Sequence, residues 1–113
     1  MLNQRLSAAK TVAAELFPAE ADLENAIVRT ARLTIALVEG RRTAKLPITT
    51  CQDELDHLVS VSAHLAEARK GLAAAHVALR RTQHDIGLRA VSFGDLWECP
   101  KTAIAPQEAA NVA

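Results

Sequence analysis

The chain has 113 residues, of which 50% are hydrophobic but only Phe17, Phe93 and Trp97 are aromatic, and its thirteen basic residues balance its thirteen acidic ones. One domain is the expectation at this length, and zero net charge argues against general electrostatic capture of nucleic acid or of an anionic membrane. There is no long apolar run, no signal-type N-terminus and no close cysteine spacing, so a cytoplasmic protein without cofactor, disulfide framework or zinc knuckle is expected.

Residues 2–17 read as a first amphipathic helix, with Leu2, Leu6, Ala9, Ala13 and Leu16 in steps of four and three. Pro18 either kinks a continuous helix or opens a second one, where its missing N–H costs nothing. Glu20, Asp22 and Glu24 favour a fresh N-terminus through the helix dipole, so a break at Pro18 is expected. The second helix, about 19–39, carries Leu23, Ala26, Ile27, Thr30, Leu33, Thr34, Leu37 and Val38, widened by Val28, Ala31 and Ile35. A face this broad must be covered on more than one side. Ile27, Val28, Ile35 and Val38 are therefore candidate oligomer contacts. Gly40 is placed to end the helix in a left-handed cap.

Residues 41–49 form the connection, since Pro47 disfavours helix just before it. Thr49 or Thr50 can cap the third helix, with Gln52 or Asp53 completing a capping box. That helix, about 50–86, holds the strongest pattern in the chain. Leu58, Leu65, Leu72, Leu79 and Ile86 recur every seven residues, the period of knobs-into-holes packing. The positions three residues on are Val61, Ala68, Ala75 and Thr82. Together Ala68, Gly71, Ala75 and Ala78 make a shallow groove that a neighbouring helix can approach closely. Gly87 closes the helix.

The arms 2–39 and 50–86 are nearly equal, so an antiparallel helical hairpin follows, with paired residue numbers summing to about ninety and Pro18 opposite Gly71 and Leu72. Leu58, Val61, Leu65, Ala68, Gly71, Leu72, Ala75, Leu79 and Ile86 are the expected hairpin contacts. Two arms alone cannot cover the second helix, so a homodimeric four-helix bundle is expected. The alternative is a monomeric three-helix bundle, which needs a break near Gly71. Residues 88–99 should dock through Phe93, Leu96 and Trp97 on the bundle or on a partner subunit, which makes these three further candidate oligomer contacts, and one domain spans 1–99. Residues 100–113 read as a loose tail.

Candidate chemistry is sparse. Glu54-Leu55-Asp56-His57 resembles the Glu-x-x-His half-site of ferritin-like di-metal bundles. With Glu39 from the facing helix, a dimer could assemble two copies of Glu39, Glu54 and His57. The competing account is a capping acid beside a solvated histidine. His57 and His64 lie seven apart beside the seam and suit either a metal with Asp53 or a hydrogen-bonded rim. His76 and His84 point elsewhere.

Cys51 continues the leucine row as a small buried hydrophobe. Residues 88–99 reach at most about 43 Å, short of the roughly 55 Å of a straight third helix, which excludes an intrachain bridge to Cys99. Arginines and lysines cluster at both hairpin ends, Arg41, Arg42 and Lys45 at one, Arg5, Lys10, Arg80, Arg81 and Arg89 at the other, without a base-reading motif.

Lys45-Leu46-Pro47-Ile48 resembles the interhelical loop of all-helical chorismate mutases. The first helix offers Arg5 and Lys10 without the further arginine and acidic pair those enzymes need. The sequence therefore points to a self-associating interaction or regulatory module, with a metal-binding bundle as the alternative.

Overall fold

The computed structural model describes residues 1–88. They form an all-helical hairpin of two helices, α1 (Leu2–Thr43) and α2 (Gln52–Asp85), with no strand among the described residues. Phe93, Leu96, Trp97, Cys99 and the expected tail lie outside them. No helix of the described residues is long and apolar enough to cross a membrane.

Two sequence expectations are corrected in α1. The helix is unbroken through Pro18, although the proline removes one donor, so the Ala14 carbonyl loses its i+4 partner. Strong helix formers on both sides carry the chain across the lost bond. The helix also runs past Gly40 and stops after Thr43.

The actual stop is a Schellman motif built on Lys45. The Lys45 N–H donates to the Arg42 carbonyl at 3.0 Å and the Leu46 N–H to the Arg41 carbonyl at 3.1 Å. Lys45 takes the left-handed conformation at φ 58° that this cap requires. The Arg41 guanidinium Nη1 then donates to the Leu46 carbonyl at 2.8 Å, tying the loop to the helix end.

The loop turns twice before α2. The Thr50 N–H donates to the Pro47 carbonyl at 2.9 Å and the Gln52 N–H to the Thr49 carbonyl at 3.2 Å. Helical bonding starts with Leu55 N–H to the Cys51 carbonyl at 3.0 Å. The helix thus begins two residues later than Thr50, and Cys51 sits at its cap with φ 68°. Asp53 and Glu54 occupy the first turn, where the helix dipole favours them. At the far end Gly87, at φ 93°, closes α2 as the sequence predicts. Its N–H donates to the His84 carbonyl at 3.1 Å and the Leu88 N–H to the Gln83 carbonyl at 2.9 Å, a second Schellman motif. α2 itself runs without a break through Gly71.

The described residues divide into two units, Met1–Leu16 with the stretch from Ala73 to Leu88, and Phe17–Leu72. In the first unit, Leu6, Ala9, Ala13 and Leu16 are half-buried on α1, with Gln83 on α2 and Ile86 in the turn just past its end. The Arg5 guanidinium Nη1 donates to the Ile86 carbonyl at 3.3 Å. A cation from the start of one helix thereby meets the negative end of the other.

In the second unit, Leu23, Ala26, Ile27, Thr30, Thr34 and Leu37 are half-buried on α1. Leu55, Leu58, Leu65 and Leu72 are half-buried on α2. Arg69 and Glu24 pair between the two helices. Both cross-helix pairs, Arg5 with Ile86 and Glu24 with Arg69, fall within a turn of the expected antiparallel register.

Candidate interaction surface

The hairpin seam is one row wide. Leu58, Leu65 and Leu72 along α2, and Ile86 just past its end, are half-buried, while Val61 is 42% and Leu79 38% exposed and Ala68, Gly71 and Ala75 are exposed too. A Cβ added at Gly71 would meet nothing within 4 Å. The groove of small residues is therefore open in the hairpin, because a single facing helix covers only the leucine row.

The row also moves along α2. His76 is the most buried residue of the helix at 4% exposure, and of the residues that follow, Gln83 rather than Leu79 is half-buried. A seven-residue repeat lags a straight helix by about 20° per heptad. By the third heptad the lag is large enough for the residue four places on from Leu72 to take the inward position. A fixed heptad frame points His76 elsewhere; the drift of the repeat turns it in.

The outer flank of α1 is apolar and open. Val28 is 48%, Ile35 55% and Val38 38% exposed, with Ala31 between them, while Ile27 turns toward the half-buried face. Thr30 and Thr34 sit on that half-buried face, where the Thr34 Oγ1 donates to the Thr30 carbonyl at 3.0 Å. On α2, Val59 is 60% and Val77 45% exposed. At the loop, Leu46 is 45% and Ile48 82% exposed.

Within a single chain the metal candidates of the sequence do not converge. Glu39, Glu54, His57, His64 and Asp53 are all exposed, and Asp56 Oδ1 accepts from Gln52 Nε2 at 2.9 Å. Among the described residues no three His, Cys, Asp or Glu side chains come together in a way that could hold a metal ion. Cys51 is a half-buried free thiol.

The basic clusters have local work. Arg5 and Arg41 each donate to a carbonyl at a helix end, a role invisible in the charge pattern alone. A shallow trough of about 440 Å³ runs along Asn3, Leu6, Ser7, Lys10, Thr11 and Ala14, all on one helix flank. Its lining holds one cation, Lys10, and no carboxylate or imidazole.

Compared with known proteins, the chain gives no significant match to a family model, to a curated protein or to a solved structure.

Proposed function

We propose that the chain is a helical interaction module that works in self-associated form, two hairpins packing into a four-helix bundle, and that it is not an enzyme. One observation carries this reading. Among the described residues Leu88 is the only buried apolar side chain, at 3% exposure, while thirteen large hydrophobic residues are 38% exposed or more.

Each apolar side chain left in water forgoes roughly 1.5–3 kcal/mol of burial. A pair of helices with so thin a core gains its stability from a further apolar surface. The unbroken course of α2 through Gly71 supports a long hairpin over a three-helix monomer.

Sedimentation equilibrium tests the proposal. A species of twice the 12.1 kDa chain mass, losing helicity in step with dissociation on dilution, is the expected result. A monomer whose unfolding midpoint does not depend on concentration overturns it.

A further inference from the structure

The open flank of α1 has an internal symmetry that bears on how two copies meet. Glu24, Val28, Ala31, Ile35, Val38 and Arg42 follow in steps of four, three, four, three and four. Five steps over eighteen residues is the pitch of an α-helix, so all six lie on one line. All six are exposed, Glu24 with 57% of its side chain accessible and Ile35 at 55%. The spacing is the same read in either direction from the level of residue 33. An acid stands at its N-terminal end, a base at its C-terminal end, and four apolar residues lie between.

Resting on the self-association proposed above, we infer that a second copy of this chain docks on this stripe antiparallel, about a two-fold axis at the level of residue 33. Val28 then faces Val38 of the second copy, and Ala31 faces Ile35. Glu24 faces Arg42 at both ends, because a two-fold interface repeats each contact.

Charge selects this direction. A parallel pairing along the same stripe sets Glu24 against Glu24 and Arg42 against Arg42, which is unfavourable. Glu24 can serve both of its cations. Arg69 Nε and Nη2 both donate to Oε2, at 2.9 and 2.6 Å, and Oε1 is the oxygen a second guanidinium would take.

The test uses the full chain with Cys51→Ser and Cys99→Ser as background. Val28→Cys and Val38→Cys are made separately, mixed and oxidised, with circular dichroism checking that helicity is kept. The expected result is a crosslinked dimer from the mixture and none from Val28→Cys alone. In the antiparallel register the two Val28 positions lie ten residues apart along the axis, about 15 Å, beyond the roughly 7 Å limit for a disulfide. Arg42→Glu is the second measurement. It sets a new carboxylate against Glu24 and should weaken the dimer about tenfold, whereas in a parallel dimer it exchanges one like-charged pair for another and leaves the dissociation constant within about twofold.

Self-crosslinking of Val28→Cys overturns the inferred direction while self-association stands. A dimer in sedimentation that crosslinks in neither arm overturns the face, again leaving self-association intact. A chain that stays monomeric at every concentration overturns both and leaves the stripe to a different occupant.

Discussion

Arg69 and Glu24 join the two helices across 45 residues of sequence, through two donors that converge on one carboxylate oxygen, Nη2 at 2.6 Å and Nε at 2.9 Å. The pair is exposed, 64% on the arginine side and 57% on the glutamate side. Its role is to hold register more than to add stability, since exposed ion pairs contribute about 0–1 kcal/mol. Glu24→Gln and Arg69→Gln should each cost under about 1 kcal/mol in urea unfolding, and less in high salt. A double-mutant cycle at fixed protein concentration measures the coupling, and a value of several kcal/mol would contradict this assignment.

The two Schellman caps make a controlled comparison. Gly87 holds its positive φ without a side chain, and a Cβ added there meets nothing within 4 Å. Gly87→Ala should therefore cost about 1 kcal/mol through the backbone alone. Lys45 holds the same conformation with a side chain. Lys45→Gly should relieve that strain and raise stability by about 0.5–1 kcal/mol, net of the larger entropy of the unfolded glycine. Opposite signs in thermal unfolding of the two variants are the expected outcome.

These caps show where the sequence is legible and where it is not. Helices and hairpin register follow from apolar periodicity and from arms of equal length, and Arg5 and Glu24 find the partners that register implies. Gly87 is readable as a stop because the leucine repeat ends there. Gly40 looks like an equal signal, yet a helix ends where its carbonyls find other donors. The Lys45 and Leu46 N–H groups supply those donors five residues later.

The covering of the flanks cannot be read at all. Val61, Ala68 and Ala75 carry the spacing of core positions, but whether a third helix reaches them depends on which surfaces meet. His76 requires the drift of the repeat on a straight helix, which a fixed seven-residue frame hides.

Pro18 lies inside α1 and is exposed. Its cost is that of a proline in a helix interior, about 3 kcal/mol relative to alanine. Pro18→Ala removes no packing, so it should stabilise the protein by about 2–3 kcal/mol and raise the thermal midpoint by several degrees. The proline also stands next to the point where α1 passes from one unit to the other, between Leu16 and Phe17. Amide hydrogen exchange around Ala14 and Pro18 should slow in the variant. Unchanged exchange with unchanged stability would mean that the helix is held there by contacts that outweigh the missing bond.

Glu54 and His57 are exposed, and Gln52 already engages Asp56. With no metal-holding group of three among the described residues, a chelator should leave the melting temperature unchanged. Glu54→Ala and His57→Ala should each stay within about 0.5 kcal/mol of the parent, as surface substitutions do. Elemental analysis of untagged protein checks the same point directly. Stoichiometric iron, manganese or zinc, lost on Glu54→Ala, would reverse the preference for a non-metal module.

Gly71 separates two routes to assembly. It lies in the interior of α2, and a Cβ there meets nothing within 4 Å. In the hairpin alone, Gly71→Ala should gain about 0.8–1 kcal/mol of helix propensity. If two copies meet along the Glu24–Arg42 stripe of α1, the new methyl lies away from their contact. The dimer constant should then hold within about twofold while the unfolding midpoint rises. If instead the copies approach through the groove of Ala68, Gly71, Ala75 and Ala78, the methyl forces the helices apart and the dimer weakens, even as each helix becomes a better helix. Measuring association and helix stability on the same variant tells these apart, because only the groove arrangement gives the two quantities opposite signs.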